Sequence, residues 1–336
     1  MTKKPFYIAT ANLLNFANPG RIYYENADAY DEPTYQRKLA GLTQLISQAH
    51  PDILAVQEIW DSEALEALAV GLGFEAKHAW APYASNTAND AITQGLGAQN
   101  TPAVGIISRF DRISSQSLVD INPKAWLDVP DMGLYKTFNR PPLLVRYDVY
   151  GQPINVLTAH LKSKRAYHLR DEQGKLLEDI DDPNIRVRAK LRSLCMRAAE
   201  AASIRMTLIE LLHHTREPVV LLGDMNDVTD SVTTQLMAET GEVNYDKSMR
   251  DIALFDAARI QKRYGWMKDV AYTHIHQGVP EVIDQMFVSE EFLPDSKFAL
   301  AEVERVDYFN DHLKWDYEDR VSDHGIVRAK IRLLGE

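Results

Sequence analysis

Only one cysteine, Cys195, occurs in 336 residues. No intrachain disulfide can therefore form, and a reducing compartment, the cytoplasm, is expected. Cys195 lies in LRSLCMRAAEAASIRMTL, where a buried small hydrophobe is the expected role. Long hydrophobic runs are missing too: no stretch of about 18 apolar residues occurs, which excludes a transmembrane helix. The N-terminal MTKKPFYIATANLLNF has two lysines but no sustained apolar segment, so no signal peptide is expected. Positive charge is in deficit, with 37 Lys and Arg against 48 Asp and Glu and a net charge of −11. This speaks against a protein that grips nucleic acid along a broad basic face. It leaves room for an enzyme that touches a few phosphates through a metal and local cations. No GxSxG, GxxxxGK[ST] or HExxH segment is present, so serine hydrolase, P-loop and zincin chemistry lack support. No Pro/Gly/Ser tract, composition break or repeat divides the chain. One α/β or α+β domain over 1–336 is expected, with no obligate protein partner evident.

What is present is a set of apolar strands that end in polar groups. PVVLLGDMND (218–227) carries Val219 to Leu222 into Gly223, Asp224, Asn226 and Asp227. A short aliphatic run is the signature of a buried strand; the polar end alone fits an Asx turn equally well. Further strands are expected at 5–14, 52–60, 104–108, 143–149, 154–161, 281–289 and 325–333. Helical spacing of Tyr35, Leu39, Leu42, Leu45 and Ile46 predicts a helix over 33–49. A second helix is expected over 61–73, with Asp61 or Ser62 as N-cap, and the longest over 186–213.

Polar strand ends recur along the chain. ATAN ends in Asn12, AVQE in Glu58, LTAH in His160 and LLGDMN in Asp224 and Asn226; VID brings Asp284, and VSDHG brings Asp323 and His324 just before the last strand. Their recurrence suggests convergence on one face of a packed sheet, where loops on a rigid scaffold carry function. Glu58 and Asp323 supply hard carboxylate oxygens suited to Mg²⁺. His160 and His324 are proton-transfer groups that titrate near neutrality. Asn12 and Asn226 can orient a water or a phosphate oxygen without adding charge. Together these are the parts for phosphoester hydrolysis without a covalent nucleophile.

In these motifs and their order the sequence resembles the endonuclease/exonuclease/phosphatase superfamily, from Asn12 to His324. FNRPPLLVRY followed by NVLTAHLKSK is most similar to its deoxyribonuclease-like, bacterial nuclease-like branch. The resemblance implies a four-layer αββα sandwich, with two facing mixed β-sheets and outer helices. It implies an active-site amide at Asn12, grouped with the metal-binding residues, and the principal metal ligand at Glu58. Asp323 would assist the metal or position the histidine. Asp224 would orient or deprotonate the attacking water, with Asn226 as its partner, and Asp284 would pair with His324. His160 would neutralise phosphate or protonate the leaving oxygen, and His324 would stabilise the pentacovalent phosphate or take part in proton transfer. The cofactor implied is Mg²⁺, with Mn²⁺ as the alternative.

Arg140 of FNRPP would reach phosphate, its other reading being a surface arginine before a Pro-Pro turn. Lys162 shares a side with His160 and would do the same, or be a solvated lysine. Gln57 alternates away from Glu58 and is expected in a structural hydrogen bond. Asp227 reads as a turn acid, His213 and His214 as contacts of a helix C-terminus, and His274 and His276 as flanks of a strand. Two segments depart from the family pattern: the polar insertion 165–184, and 307–324, where Tyr308, Phe309, Trp315 and Tyr317 stand among acids. The latter reads either as a solvated loop or as a lid or base-stacking wall. The activity expected is a Mg²⁺-dependent phosphodiester hydrolase, foremost a nuclease on DNA or RNA. The alternative is a hydrolase of small phosphoesters such as nucleotides, phospholipid head groups or inositol phosphates.

Overall fold

Two-residue periodicity sorts the side chains of each strand between two environments. The computed structural model describes residues 4–22, 28–84, 101–171, 174–213, 215–238, 247–261, 271–276, 278–314 and 321–335. The first part of the chain forms β1 (Phe6–Phe16), α1 (Glu32–Ser47), β2 (Ile53–Ile59), α2 (Ser62–Gly71) and β3 (Ala79–Trp80). Next come β4 (Ala103–Ser108), β5 (Asp111–Ser117), a hairpin of β6 (Leu127–Val129) and β7 (Gly133–Tyr135), then β8 (Leu143–Val149) and β9 (Gln152–His160). The long α3 (Pro183–Leu212) leads to β10 (Val219–Asp224), α4 (Val232–Ala238), β11 (Phe255–Asp256) and α5 (Ala257–Ile260). A hairpin of β12 (His274–His276) and β13 (Val279–Glu281) precedes β14 (Asp284–Val288), β15 (Ala301–Phe309) and β16 (Ile326–Leu333).

Two six-stranded mixed sheets result, ordered β15-β16-β1-β2-β4-β3 and β11-β14-β10-β9-β8-β5. Each has one parallel pair, β1 with β2 and β9 with β10. In β10, Val220 and Leu222 face the other sheet, where they join Ile8 and Ile53 in one buried cluster that also takes in Val156 of the neighbouring β9. Val219 and Leu221 face the opposite way, onto Ile204, Leu208 and Leu212 of α3. On the first sheet, Ala9, Ala11 and Leu54 pack under Leu42, Leu45 and Ile46 of α1 and Leu65 and Leu68 of α2. The layers therefore run helix, sheet, sheet, helix. Burial of each large side chain of α1 stabilises by roughly 1.5–3 kcal/mol, beyond the tenths of a kcal/mol that propensity supplies per residue. Packing thus fixes α1 in place. Its start is set locally: Asp31 accepts from the Thr34 N–H at 2.8 Å and Pro33 occupies the first turn.

The insertion 165–184 is not a free polar loop. Arg192 of α3, fully buried, donates to the carbonyls of Pro130 (2.8 Å) and Tyr167 (3.2 Å) and to the carboxylates of Asp131 and Glu178. One guanidinium thereby ties the insertion to the β6–β7 hairpin. The stretch 307–324 also differs from the expected aromatic-acidic loop. Asp307, Tyr308 and Phe309 end β15 and pair with β16, Asp307 takes an ion pair from Arg328 at 2.6 Å, and both rings pack against buried cores. These residues are not a lid or stacking wall; Trp315 and Tyr317 lie outside the described residues. Cys195 is half-buried and not fully so, because α3 turns that position partly outward. Besides short strands of two or three residues, two longer ones escaped the sequence reading, β5 and β15. DRISSQS is exposed along nearly its whole length, and AEVERVDYF has charges at its centre. Of the two histidines expected at a helix end, His213 is the C-cap of α3, and His214 lies outside the described residues.

Candidate active site

Strand register assembles the site. Asp224, the last residue of β10, pairs with His160 of β9 on one side and with Asp284 of β14 on the other. All three share the parity of Val156, Leu222 and Met286, so they point between the sheets. The facing sheet answers with Asn12 of β1, whose side-chain amide donates to Asp224 Oδ2 at 3.1 Å. The two sheets are also joined just beneath the site: Thr10 donates to Gln57 Oε1, and Gln57 Nε2 donates to Thr158 Oγ1 at 3.2 Å. Gln57 is the structural residue its alternation predicts.

Asp224 is the hub. Its Oδ1 accepts from the backbone N–H of Asn226 at 2.8 Å. Its Oδ2 lies 3.4 Å from His160 Nε2 and 3.9 Å from His324 Nε2. Asn226 takes a left-handed backbone, φ 51°, and its amide donates to the Leu161 carbonyl at 3.0 Å, which fixes the turn after β10. His324 Nδ1 lies 2.8 Å from Asp284 Oδ2. The loop carrying it is pinned by Ser322, which donates to the Asn12 carbonyl and accepts from the His324 N–H. His312 Nε2 bonds the His324 carbonyl.

Glu58 reaches the same place by breaking strand geometry. It sits at a register shift of β2 against both neighbours and has φ 60°. Such a conformation costs a non-glycine residue roughly 1–3 kcal/mol and persists only where the surroundings impose it. Strict alternation would send Glu58 toward the helices. The bulge re-aims it: Oε2 accepts from the Asn15 N–H at 2.9 Å and Oε1 stands 4.0 Å from His160 Nε2. Asp323 stands at the rim, with Oδ1 3.9 Å from His324 Nε2 and no hydrogen-bond donor on that buried oxygen.

Electrostatics separate the two histidines. Burial opposes the charged ring of His324, but Asp284, Asp224 and Asp323 outweigh it, and its pKa rises well above the usual range. Burial, joined by Arg140, the cationic His324 and Lys162, pushes His160 well below that range. Burial raises Asp224 to about 6, opposed by His324 and reinforced by Asp284. Burial likewise raises Glu58, against the pull of Arg140.

Arg140 donates to the Leu161 carbonyl at 3.0 Å and its Nε is buried without an acceptor. Lys162 is buried, its Nζ 3.3 Å from Ser163 Oγ and 5.6 Å from the Tyr167 ring centre; burial and Arg140 lower its pKa to about 8. Neither is the solvated surface cation of its alternative reading. Asp227 is engaged by Lys164, Arg197 and Thr233, as a turn acid would be. A cavity of about 190 Å³ opens between Tyr135 and Asn139 on one side and Tyr167 on the other.

Two residues near the site were not singled out in the sequence. Lys38 of α1 donates to the Leu14 carbonyl, and burial lowers its pKa to about 8 against Glu58 and Asp323. Its spacing from Tyr35 and Leu42 on the apolar face of α1 is the signal that could have found it. His274, read as a mere strand flank, lies with its ring 5.3 Å from that of His324. The alternation of His274 and His276 in β12 was its only sequence trace.

A family model described as the Endonuclease/Exonuclease/phosphatase family matches residues 9–324. The chain belongs to this family. Its members are hydrolases of phosphoester bonds, so the chain is an enzyme of that class. Solved structures with the same fold include an endonuclease/exonuclease/phosphatase from Bacteroides vulgatus (15% identity, TM-score 0.55, covering 99% of this chain and 100% of that one). Another is a mannosyl-6-phosphatase of Bacteroides thetaiotaomicron (15%, 0.53, 97% and 99%), and a third is D. rerio TDP2 humanized by 14 mutations (12%, 0.55, 97% and 98%). No curated protein sequence matches the chain. Family members generally depend on a divalent metal, and the residues present fit one. Asp323 Oδ1 is a buried carboxylate oxygen without a donor among the described residues, and a strained bulge aims the Glu58 carboxylate at the site, 4.0 Å from His160 Nε2. No helix among the described residues is long and apolar enough to cross a membrane.

Proposed function

We propose that residues 1–336 work as one catalytic unit, a divalent-metal-dependent phosphodiester hydrolase whose foremost substrate is short or single-stranded DNA or RNA. The observation that carries this reading is the row His160–Asp224–Asp284 beneath His324 and Asn12. It gathers the groups read as water activator, cationic donor and neutral donor around one carboxylate, Asp224. Glu58 and Asp323 would hold Mg²⁺ or Mn²⁺, which when bound supplies positive charge opposite the phosphate. Asp224, fixed by the Asn12 amide and the Asn226 N–H, takes the proton of the attacking water. His324, kept cationic by Asp284, donates to a phosphoryl oxygen as negative charge develops there. His160, held neutral, donates a hydrogen bond without adding charge. Arg140 and Lys162 bind a further phosphate oxygen.

A second reading, hydrolysis of a small phosphoester, is favoured by the net charge of −11. The deciding experiment presents the purified protein, with Mg²⁺ or Mn²⁺, with plasmid, single-stranded DNA, RNA, bis-p-nitrophenyl phosphate and mononucleotides. Metal-dependent cleavage of single strands above monoesters is expected, and turnover of monoesters alone would overturn the first reading in favour of the second. Glu58→Gln should weaken Mg²⁺ affinity about 10-fold or more, since an amide oxygen lacks the charge that holds a hard cation. Calorimetric Mg²⁺ binding equal to wild type would remove Glu58 from the ligand set.

A further inference from the structure

The hairpin β12–β13 brings a group to the site that the reaction above does not use. Donor atoms of His274, Asp323 and His324 all lie within 4.8 Å of one another. Two of these side chains carry buried polar atoms with no hydrogen-bond partner among the described residues, His274 Nδ1 and Asp323 Oδ1. The third is pre-oriented: His324 spends Nδ1 on Asp284 at 2.8 Å, leaving Nε2 as the free donor, 3.9 Å from Asp323 Oδ1. A carboxylate bonded to the far nitrogen of an imidazole is the arrangement that fixes the tautomer of a metal-bound histidine.

We propose that His274, Asp323 and His324 form an inhibitory site for a transition-metal dication of the Zn²⁺ class, distinct in donor set from the oxygen site that serves catalysis. The proposal concerns regulation of the site described above and rests on the catalytic reading of His324. Two imidazoles and one carboxylate suit Zn²⁺, whereas Mg²⁺ demands oxygen donors and octahedral geometry. Zn–N and Zn–O bonds of about 2.0–2.2 Å set neighbouring tetrahedral donors roughly 3.3–3.5 Å apart. Closing from separations of 3.9 Å and up to 4.8 Å therefore brings pairs of donors together by about 0.4–1.5 Å, shared between two side chains and within reach of side-chain rotation. With three protein donors the fourth position stays open to water. Occupation breaks the Nε2–H bond and releases that proton to solvent; it takes the nitrogen that would donate to the phosphoryl oxygen and draws Asp323 away from the catalytic metal, so hydrolysis stops.

His274 is the discriminating residue because it belongs to the zinc donors and not to the hydrolytic group. The test is calorimetry of Zn²⁺ binding to the full chain in millimolar Mg²⁺, for wild type, His274→Gln and His274→Ala, with circular dichroism to verify the fold. One equivalent of Zn²⁺ is expected on the wild type, with affinity at least 10-fold weaker in either folded variant. His274→Gln should retain Mg²⁺-supported hydrolysis within about twofold while its half-inhibitory Zn²⁺ concentration rises at least 10-fold. Zinc binding to a folded His274 variant with wild-type affinity would overturn the proposal, as would no zinc binding to the wild type. Calorimetry needs no substrate. A chain that binds zinc through His274 yet hydrolyses nothing would refute the proposed function and keep the metal site.

Discussion

At the scale of single residues, the pairing of Asp284 with His324 gives the sharpest expectation. Asp284 is fully buried, one oxygen on His324 Nδ1 at 2.8 Å and the other without a donor. Asp284→Asn preserves size but removes the negative charge that keeps His324 cationic, and it offers the ring the wrong hydrogen-bonding partner. Turnover should fall by about two to four orders of magnitude, in line with the effect of an equivalent change in another Asp–His pair, with the fold intact by circular dichroism. A loss under tenfold would mean that Asp284 does not orient the histidine. Residue types and order made Asp224, Asp284, His160 and His324 legible, because a carboxylate or imidazole at the end of an aliphatic strand stands out against its neighbours. Glu58 was legible as a candidate ligand but its route was not: period-2 alternation points it to the helices, and only the bulge with φ 60° returns it. His274 was illegible because its meaning lies in a contact 50 residues downstream with His324, which no local pattern encodes.

At the scale of elements, Gly223 shows how strand pairing builds the site. It pairs with Ala159 and Gln285, one residue before the row of His160, Asp224 and Asp284. Its φ is 142°, and a Cβ there would meet the Ala159 carbonyl oxygen at 2.0 Å. No flexible side chain can yield at such a contact; the backbone of β9 or β10 must move. Gly223→Ala should cost on the order of 4 kcal/mol or more and uncouple His160 from Asp224, read as a drop in Tm together with loss of activity. A stable, active variant would mean that the two strands tolerate slippage. The clamp on α3 is the second element-scale case. Hydrogen bonds from Arg188 and Arg192 hold the Asp131 carboxyl far below its usual range, and those from Arg192 lower that of Glu178. A carboxylate with a depressed folded-state pKa contributes stability above its unfolded value, and loses it as pH falls through the folded one. Tm should thus be level above about pH 5 and decline below about pH 4. Arg192→Met should lower Tm at pH 7, because it removes the donor shared by Asp131, Glu178 and the Pro130 and Tyr167 carbonyls, and flatten part of the acid slope. The helices of the sandwich were readable from apolar spacing, and most strands from aliphatic runs. The clamp was not readable, since Arg192 looks like any helical arginine until Asp131 and Glu178 arrive from elsewhere in the chain.

At the scale of the whole molecule, charge sets what the site can hold. The chain carries −11, and among the described residues the cations near the site are few and partly engaged: Arg140 on the Leu161 carbonyl, Lys38 on the Leu14 carbonyl, Arg197 on Asp227 and the Lys162 carbonyl. A protein that tracks duplex DNA displaces counterions from each phosphate it neutralises, with a slope in log affinity against log salt of about −0.9 per contact. With roughly one to three phosphates held by the metal, Arg140 and Lys162, the slope here should be shallow, near −1 to −3. The acidic remainder of the surface should repel a long polyanion at low ionic strength, so added salt relieves part of the loss it causes for plasmid. The measurement is kcat/KM against NaCl at fixed Mg²⁺, for a dinucleotide-sized ester and for plasmid. Short substrates should be cleaved at least as well as plasmid at every salt concentration. A slope steeper than about −5 with strong plasmid preference would require many more phosphate contacts than the cations around Asp224 provide, and would place an extended binding groove on this acidic surface.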